Sequence, residues 1–207
     1  SSDKIERFKI PHDCVIEAIN RSQWVKSFTF TLNDWRKINS KKYKGKKLDI
    51  EYAPTYLFMC HKPRNQLPPK VLDYVKWGES PECITTVRET RGGGNICSKS
   101  VASSERERDK FNFYGWYDLG GYIPTPIMAI YQSGYKPRFF LVDYPFATYH
   151  AIITFIPRVH VKYPFEVNPS EITKQYPALR DLEIKQGVTL DETEVKALMA
   201  YLNSTLN

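Results

Sequence analysis

Between Arg36 and Lys47 the chain carries seven basic residues, Arg36, Lys37, Lys41, Lys42, Lys44, Lys46 and Lys47, and no acid. The formal net charge of the 207-residue chain is +7, so this block holds all of it and the rest is balanced. A cation cluster of this density sets up a local field that attracts polyanions. Phosphate backbones bind such clusters by releasing condensed counterions, without any base being read. The block is the candidate nucleic-acid contact. An exposed surface loop, or a contact with an acidic patch on another subunit, are the alternatives.

The other residue types that carry chemistry do not converge in the sequence. His12, His61, His150 and His160 show neither His-x-x-x-His nor His-Glu-x-x-His spacing. On one strand His150 and His160 would share a face, yet stand roughly 33 Å apart, too far to hold one metal. No Gly-x-Ser-x-Gly elbow, phosphate loop or dinucleotide fingerprint is present. Arg91-Gly-Gly-Gly-Asn95 lies between two strand candidates, where a hairpin loop is the simpler account. Ser104–Lys110 mixes both charge signs and reads as a solvated loop or an intersubunit ion-pair patch. Cys14, Cys60, Cys83 and Cys97 form no Cys-x-x-Cys pair, so free, mostly buried thiols are expected in preference to a zinc site or a dense disulfide framework. With no acid, base, nucleophile or metal set to assemble, the expectation is a protein without catalytic residues, metal or cofactor.

The elements that must position the block read mainly as strands. Aromatic residues make up 14% of the chain, and such rings favour pleated, half-buried surfaces. Period-2 alternation recurs over Phe28–Leu32 and Leu48–Tyr52, and Tyr56–Cys60 is apolar throughout. Further strand candidates cover 6–10, 14–19, 83–88, 95–101, 110–117, 127–132, 138–143 and 147–163. In the last, Pro157 demands an edge position, a bulge or a break. Eight or nine strands with irregular connections point to a β-sandwich or barrel. Short helices fit around 33–39 and at 69–76. The chain end is helical, with Thr189 and Glu192 at capping-box spacing and Val195, Leu198, Met199 and Leu202 on one face. Residues 164–188, with three prolines, read as an extended connector with one turn near Ser170.

Length suits one domain, 1–163, with a tail, 164–207. No apolar run approaches the ~18 residues of a membrane span, and no signal-peptide pattern opens the chain, so it reads as soluble. A first residue of Ser points to a processed or trimmed chain.

In order, these pieces resemble a known family. "SFTFTLNDW" and "KKYKGKKLDIEYAPTYLFMCHKPRNQLPPKVLDYVKW" are similar to the front half of the small single jelly-roll capsid proteins of circular single-stranded DNA viruses and comparable small RNA viruses. An amphipathic strand leads there into a strand ending in Pro (Leu48, Ile50, Pro54), then an apolar strand and an Asn/Pro-containing loop. "FATYHAIITFIPRVHV" is similar to the final strand of that fold. The likeness covers about 160 residues as a pattern, without a diagnostic motif. It departs from the family in that the sequence as given opens without a basic N-terminal arm, which was either removed or left undescribed, and in carrying a longer C-terminal tail.

The resemblance implies an all-β, eight-stranded antiparallel jelly-roll sandwich with a short C-terminal helical tail. It further implies self-assembly into an icosahedral shell, packaging of a single-stranded viral genome by non-specific electrostatic contacts, residence in the virion after assembly in the host cell, and no membrane partner. Two alternatives stand beside it. Gly120–Phe140 has some likeness to the closing helix of steroidogenic-acute-regulatory-related lipid-transfer domains, which would make the protein a lipid-binding module. A stand-alone nucleic-acid-binding β-barrel is the other.

Overall fold

Strands were expected to follow one another, yet the chain alternates short strands with helices. The computed structural model describes residues 2–39, 55–84, 94–131, 137–148 and 152–205. Among them lie six α-helices and nine short strands. In chain order these are α1 (Ser2–Phe8), β1 (Val15–Ile19), β2 (Thr29–Phe30), α2 (Leu32–Asn39), β3 (Tyr56–Phe58), α3 (Pro69–Glu79), α4 (Val101–Arg108) and β4 (Ile127–Ile130). They continue with β5 (Arg138–Val142), β6 (Ala147–Thr148), β7 (Ile152–Thr154), β8 (His160–Val161), α5 (Pro169–Gln175), β9 (Thr189–Leu190) and α6 (Glu192–Thr205). The strands form a three-stranded sheet ordered β3-β1-β6, a four-stranded sheet ordered β2-β5-β4-β7, and the pair β8-β9.

This overturns the expected all-β, eight-stranded jelly roll: the fold is mixed α/β with small sheets. The pairings β1–β6, β2–β5 and β8–β9 are parallel, which an antiparallel sandwich does not contain. No closed barrel forms among the described residues.

Local capping is the reason the strand pattern fails. The alternation at Phe28–Leu32 yields only the two residues of β2 before Thr31 turns the chain into α2. The Thr31 amide and hydroxyl both donate to Asp34 Oδ2, at 3.0 and 2.7 Å, and the Asp34 amide donates back to Thr31 Oγ1 at 3.0 Å. This reciprocal box satisfies N-terminal donors that a strand would offer to a neighbour. Ser100 caps α4 through the Ser103 amide, so 95–101 and the charged stretch 104–110 are turn and helix, not strand and loop. Residues 6–10 fall largely in α1, and 110–117 fold into turns around Asp109 and Asp118.

The tail holds more structure than an extended connector. It contains α5, and β9 pairs with β8 through His160–Thr189 and Val161–Leu190. The cap of α6 lies two residues later than expected: Asp191 and Glu194 exchange amide-to-carboxylate bonds at 2.8 and 3.0 Å, while Thr189 is used in β9. The helices expected around 33–39 and at 69–76 are present as α2 and α3. Chain pairing does break around Pro157, which lies between β7 and β8.

Three clusters of buried side chains hold the body together. Ile19, Phe30, Trp35, Met128, Phe140 and Phe146 form the first, between the two larger sheets and α2. Cys14, Cys60, Val71, Val75 and Tyr117 form the second, under α3. Ile127, Phe139, Val161, Val167, Val195 and Met199 form the third, which includes the tail. Burial of each aliphatic or aromatic side chain contributes about 1.5–3 kcal/mol before conformational entropy is counted.

Two of the four cysteines are bonded to each other, against the expectation of free thiols. Cys83 and Cys97 form a disulfide. The antiparallel bridge Ile84–Ile96 and the 2.8 Å bond from the Cys97 amide to the Cys83 carbonyl bring the two together, as the base of a hairpin would. Residues 85–93, with most of the glycine-rich stretch, lie outside the described residues. Cys14 and Cys60 are free and buried.

Candidate functional site

Helix α2 delivers the start of the basic block. Trp35 is 4% exposed and its indole N–H donates to the Ala18 carbonyl at 3.0 Å, while Leu32 and Ile38 pack on the first cluster. The apolar face of α2 is thereby fixed to β1, and Arg36 and Lys37 stand exposed in its last turn. Cations at a helix C-terminus also complement the helix dipole. Lys41, Lys42, Lys44, Lys46 and Lys47 lie outside the described residues, as does the strand expected at 48–52.

The surroundings of Arg36 bear on its field. The Tyr144 hydroxyl donates to Glu17 at 2.8 Å, and burial followed by that bond pushes the Tyr144 phenol up to about 12. Burial, then the Glu17 charge, raises Tyr56 also, while Arg36 pulls both phenols the other way. Arg36 thus lies within electrostatic reach of the β1 and β3 surface.

A second set of polar residues is assembled by the fold. The Asp118 side chain is 1% exposed and accepts from His61 Nδ1 at 2.8 Å, from the Tyr114 amide at 2.9 Å and from the Gly120 amide at 2.8 Å. Because the carboxylate only accepts, Nδ1 carries the proton toward it. The His61 ring lies 4.7 Å from Tyr114 and 5.0 Å from Tyr176 between centroids. Tyr176 reaches His61 because Gly121, at φ 98°, has no Cβ; one built there would fall inside the Tyr176 ring. His61 thus ties together the segment after β3, the turns around Asp118 and the end of α5.

Beside this junction opens a cleft of about 250 Å³, lined by Cys14, Met59, Cys60, His61, Lys62 and Tyr176. Burial and the Cys60 thiol push Cys14 up to about 12, and burial raises Cys60. Thiols of this kind are protonated at neutral pH and are neither ready nucleophiles nor ready metal ligands. Among the described residues no group of three or more His, Cys, Asp or Glu is arranged to hold a metal ion.

His61 and Asp118 are 57 residues apart, and no spacing rule joins them. The signal available in the sequence was Asp118-Leu-Gly-Gly: an Asp two residues before Gly suits a turn in which the side chain takes the glycine amide, and this is the bond Asp118 makes to Gly120. The stretch that lipid-transfer likeness would make a closing helix, Gly120–Phe140, holds β4 and the start of β5 instead. No helix among the described residues is long and apolar enough to cross a membrane. No protein-family model, no curated protein and no solved structure matches the chain.

Proposed function

We propose that the protein binds nucleic acid through Arg36–Lys47, by neutralising backbone phosphate without reading sequence and without catalysis. One observation carries the reading: the entire formal net charge of +7 is concentrated in this block, and the block starts on an exposed turn of a helix whose other face is anchored by Trp35. Charge concentrated in one stretch of sequence makes a stronger local field than the same surplus dispersed over a surface, and Arg36 and Lys37 hold the start of that stretch on the folded body. The ligand class is a polyphosphate strand, a single-stranded genome included.

Shell formation and residence in a virion were implied by a jelly-roll sandwich. The body is mixed α/β, so these two expectations have no architectural support, and the proposal rests on charge alone.

Fluorescence anisotropy with a labelled single-stranded oligonucleotide over a salt series tests the binding. The slope of log K against log salt is expected to be about −0.7 per phosphate contact, hence about −5 with all seven cations engaged. Replacing Lys41, Lys42, Lys44, Lys46 and Lys47 with Gln should bring the slope to about −1.5 by the same rule and leave the melting temperature unchanged. Salt-independent binding, or binding unaffected by the five replacements, overturns the reading. Sedimentation velocity of the same sample, with and without oligonucleotide, tests the shell separately.

A further inference from the structure

A second cleft, of about 410 Å³, opens where the end of α3, the turn before α4, α4 itself and the turns around Asp118 converge. Trp116 lines it and is held at both ring and backbone. Its indole N–H donates to Glu79 Oε1 at 3.2 Å, and the adjoining ring edge lies on Gly78, where a built Cβ would fall onto the indole. The Trp116 amide donates to Glu107 Oε2 at 2.9 Å, and its carbonyl accepts from Arg106 Nε at 3.0 Å. A ring fixed in this way does not have to be ordered by a ligand that stacks on it.

Lys99 and Arg108 line the same cleft, together with Ser98 and Ser104. Ser98 and Lys99 follow Cys97 directly, so the disulfide to Cys83 anchors them. Ser104 and Arg108 stand one turn apart on one face of α4. Among the described residues no acid pairs with Lys99 or Arg108. Glu79 is already engaged, because Arg64 takes both of its oxygens at 2.7 and 2.9 Å. Of the lining residues, Glu107 alone opposes the two cations.

We propose that this cleft binds a nucleotide, with its phosphate between Lys99 and Arg108 and its base on Trp116. Arg supplies a planar fork and Lys a point charge for phosphate oxygens, and the two serine hydroxyls can donate to the oxygens that remain. Glu107 repels phosphate but accepts from sugar hydroxyls or a base amino group, so it sets which end of the ligand lies where. The cleft falls within the roughly 300–1,000 Å³ of small-molecule sites, whereas the one beside His61, about 250 Å³, does not. An inorganic anion would use neither the volume nor the ring, and an apolar ligand would desolvate two cations without a partner. The site shares no residue with Arg36–Lys47, so it stands apart from the reading of that block. The same chemistry accepts a free nucleotide or one nucleotide of a strand.

Titration calorimetry of the full chain with AMP, adenosine and ribose 5-phosphate, at neutral pH and low salt, tests the site. AMP is expected to bind, and loss of either its phosphate or its base should weaken binding about tenfold or more. The double replacement Lys99→Gln with Arg108→Gln changes only exposed side chains, so the melting temperature should hold while AMP binding falls to the level of adenosine. AMP should also quench part of the tryptophan fluorescence, and that part should vanish in Trp116→Phe, which keeps a ring beside Gly78. The variant with the five lysines of the basic block replaced should bind AMP as wild type does, which separates failure of the block from failure of this site. Displacement of labelled oligonucleotide from that variant by AMP would assign the site to a nucleotide within a strand, and AMP binding without displacement to a free nucleotide. No AMP binding at millimolar concentration by calorimetry and fluorescence, equal affinity for AMP and ribose 5-phosphate, or AMP binding unaffected by the double replacement overturns the proposal.

Discussion

At the residue scale, Asp118 has the largest effect that a single side chain can be assigned here. It satisfies three N–H donors, from His61, Tyr114 and Gly120, in a position that is 1% exposed. Hydrogen bonds to a charged group contribute about 1.5–3 kcal/mol, and donors left buried without a partner cost more than the bonds contribute. Asp118→Ala is expected to destabilise the fold by about 3–5 kcal/mol, measured as a lower urea midpoint with an unchanged slope. Asp118→Asn keeps the shape and one acceptor oxygen but turns an amide donor toward N–H groups, so it should fall between the two. Equal midpoints for Ala, Asn and wild type would remove Asp118 from this role. The chain sequence shows both residues of the pair but not their meeting, because the contact depends on how Gly115, Gly120 and Gly121 turn the backbone, all three at positive φ.

At the element scale, what was legible and what was not divides by whether the signal is local. Helix α3 is written in its own residues: Pro69 at the first turn, then Val71, Val75 and Gly78 buried at helical spacing. Strands β1, β3, β4 and β5 follow apolar runs that were recognised as strands. The run 147–163 was recognised as one strand with two faces, yet it is divided among β6, β7 and β8, in three different sheets. Period-2 alternation specifies which side of a strand is apolar but not which partner it takes, and partner choice is a tertiary matter. The short helices α1, α4 and α5 carry only weak local signals, such as a capping Ser100 or a Pro169 in a first turn, beside aromatic and β-branched content that favours strands.

Helix α6 offers an element-scale test. It covers the edge of β5 that β2 is too short to reach: the Asn203 amide accepts from the Phe139 N–H at 3.2 Å and donates to the Phe139 carbonyl at 3.3 Å. Val195 and Met199 enter the third cluster at 0% and 6% exposure, whereas Leu198, one residue from Met199, is 38% exposed. Met199→Ala should cost about 2–4 kcal/mol through the cavity left under the helix, and Leu198→Ala about 0.5 kcal/mol or less. Equal costs in chemical denaturation would mean that α6 packs through another face.

At the scale of the whole molecule, the three clusters behave as one core because they share side chains. Tyr56 packs on the first and the second, and Phe165 on the first and the third. Buried phenols are spread through the same body. Tyr117 donates to the Lys62 carbonyl at 2.8 Å, Tyr122 to the Phe146 carbonyl and Tyr144 to Glu17. Burial, first among the causes in each case, pushes Tyr117 and Tyr144 up to about 12 and raises Tyr122, and every one of them donates a proton that its ionised form would lack. The unfolded chain ionises these phenols at about pH 10. Below that pH both states are protonated and the contribution to stability is intact. From about pH 10 to about 12 the unfolded state loses protons that the folded state keeps, so it binds fewer protons and stability falls as pH rises. Each phenol held neutral adds about 1.4 kcal/mol per pH unit to that fall. Urea midpoints measured from pH 8 to 12 should therefore be flat with respect to these groups up to about 10 and then drop steeply, in a single transition followed equally by tyrosinate absorbance and by circular dichroism. Tyr117→Phe keeps the ring and removes one titrating hydroxyl, so its curve should fall less steeply by about 1.4 kcal/mol per pH unit in that window. Two separated transitions, or a Tyr117→Phe slope equal to wild type, would show that the clusters unfold independently or that the phenol is not held neutral by the fold.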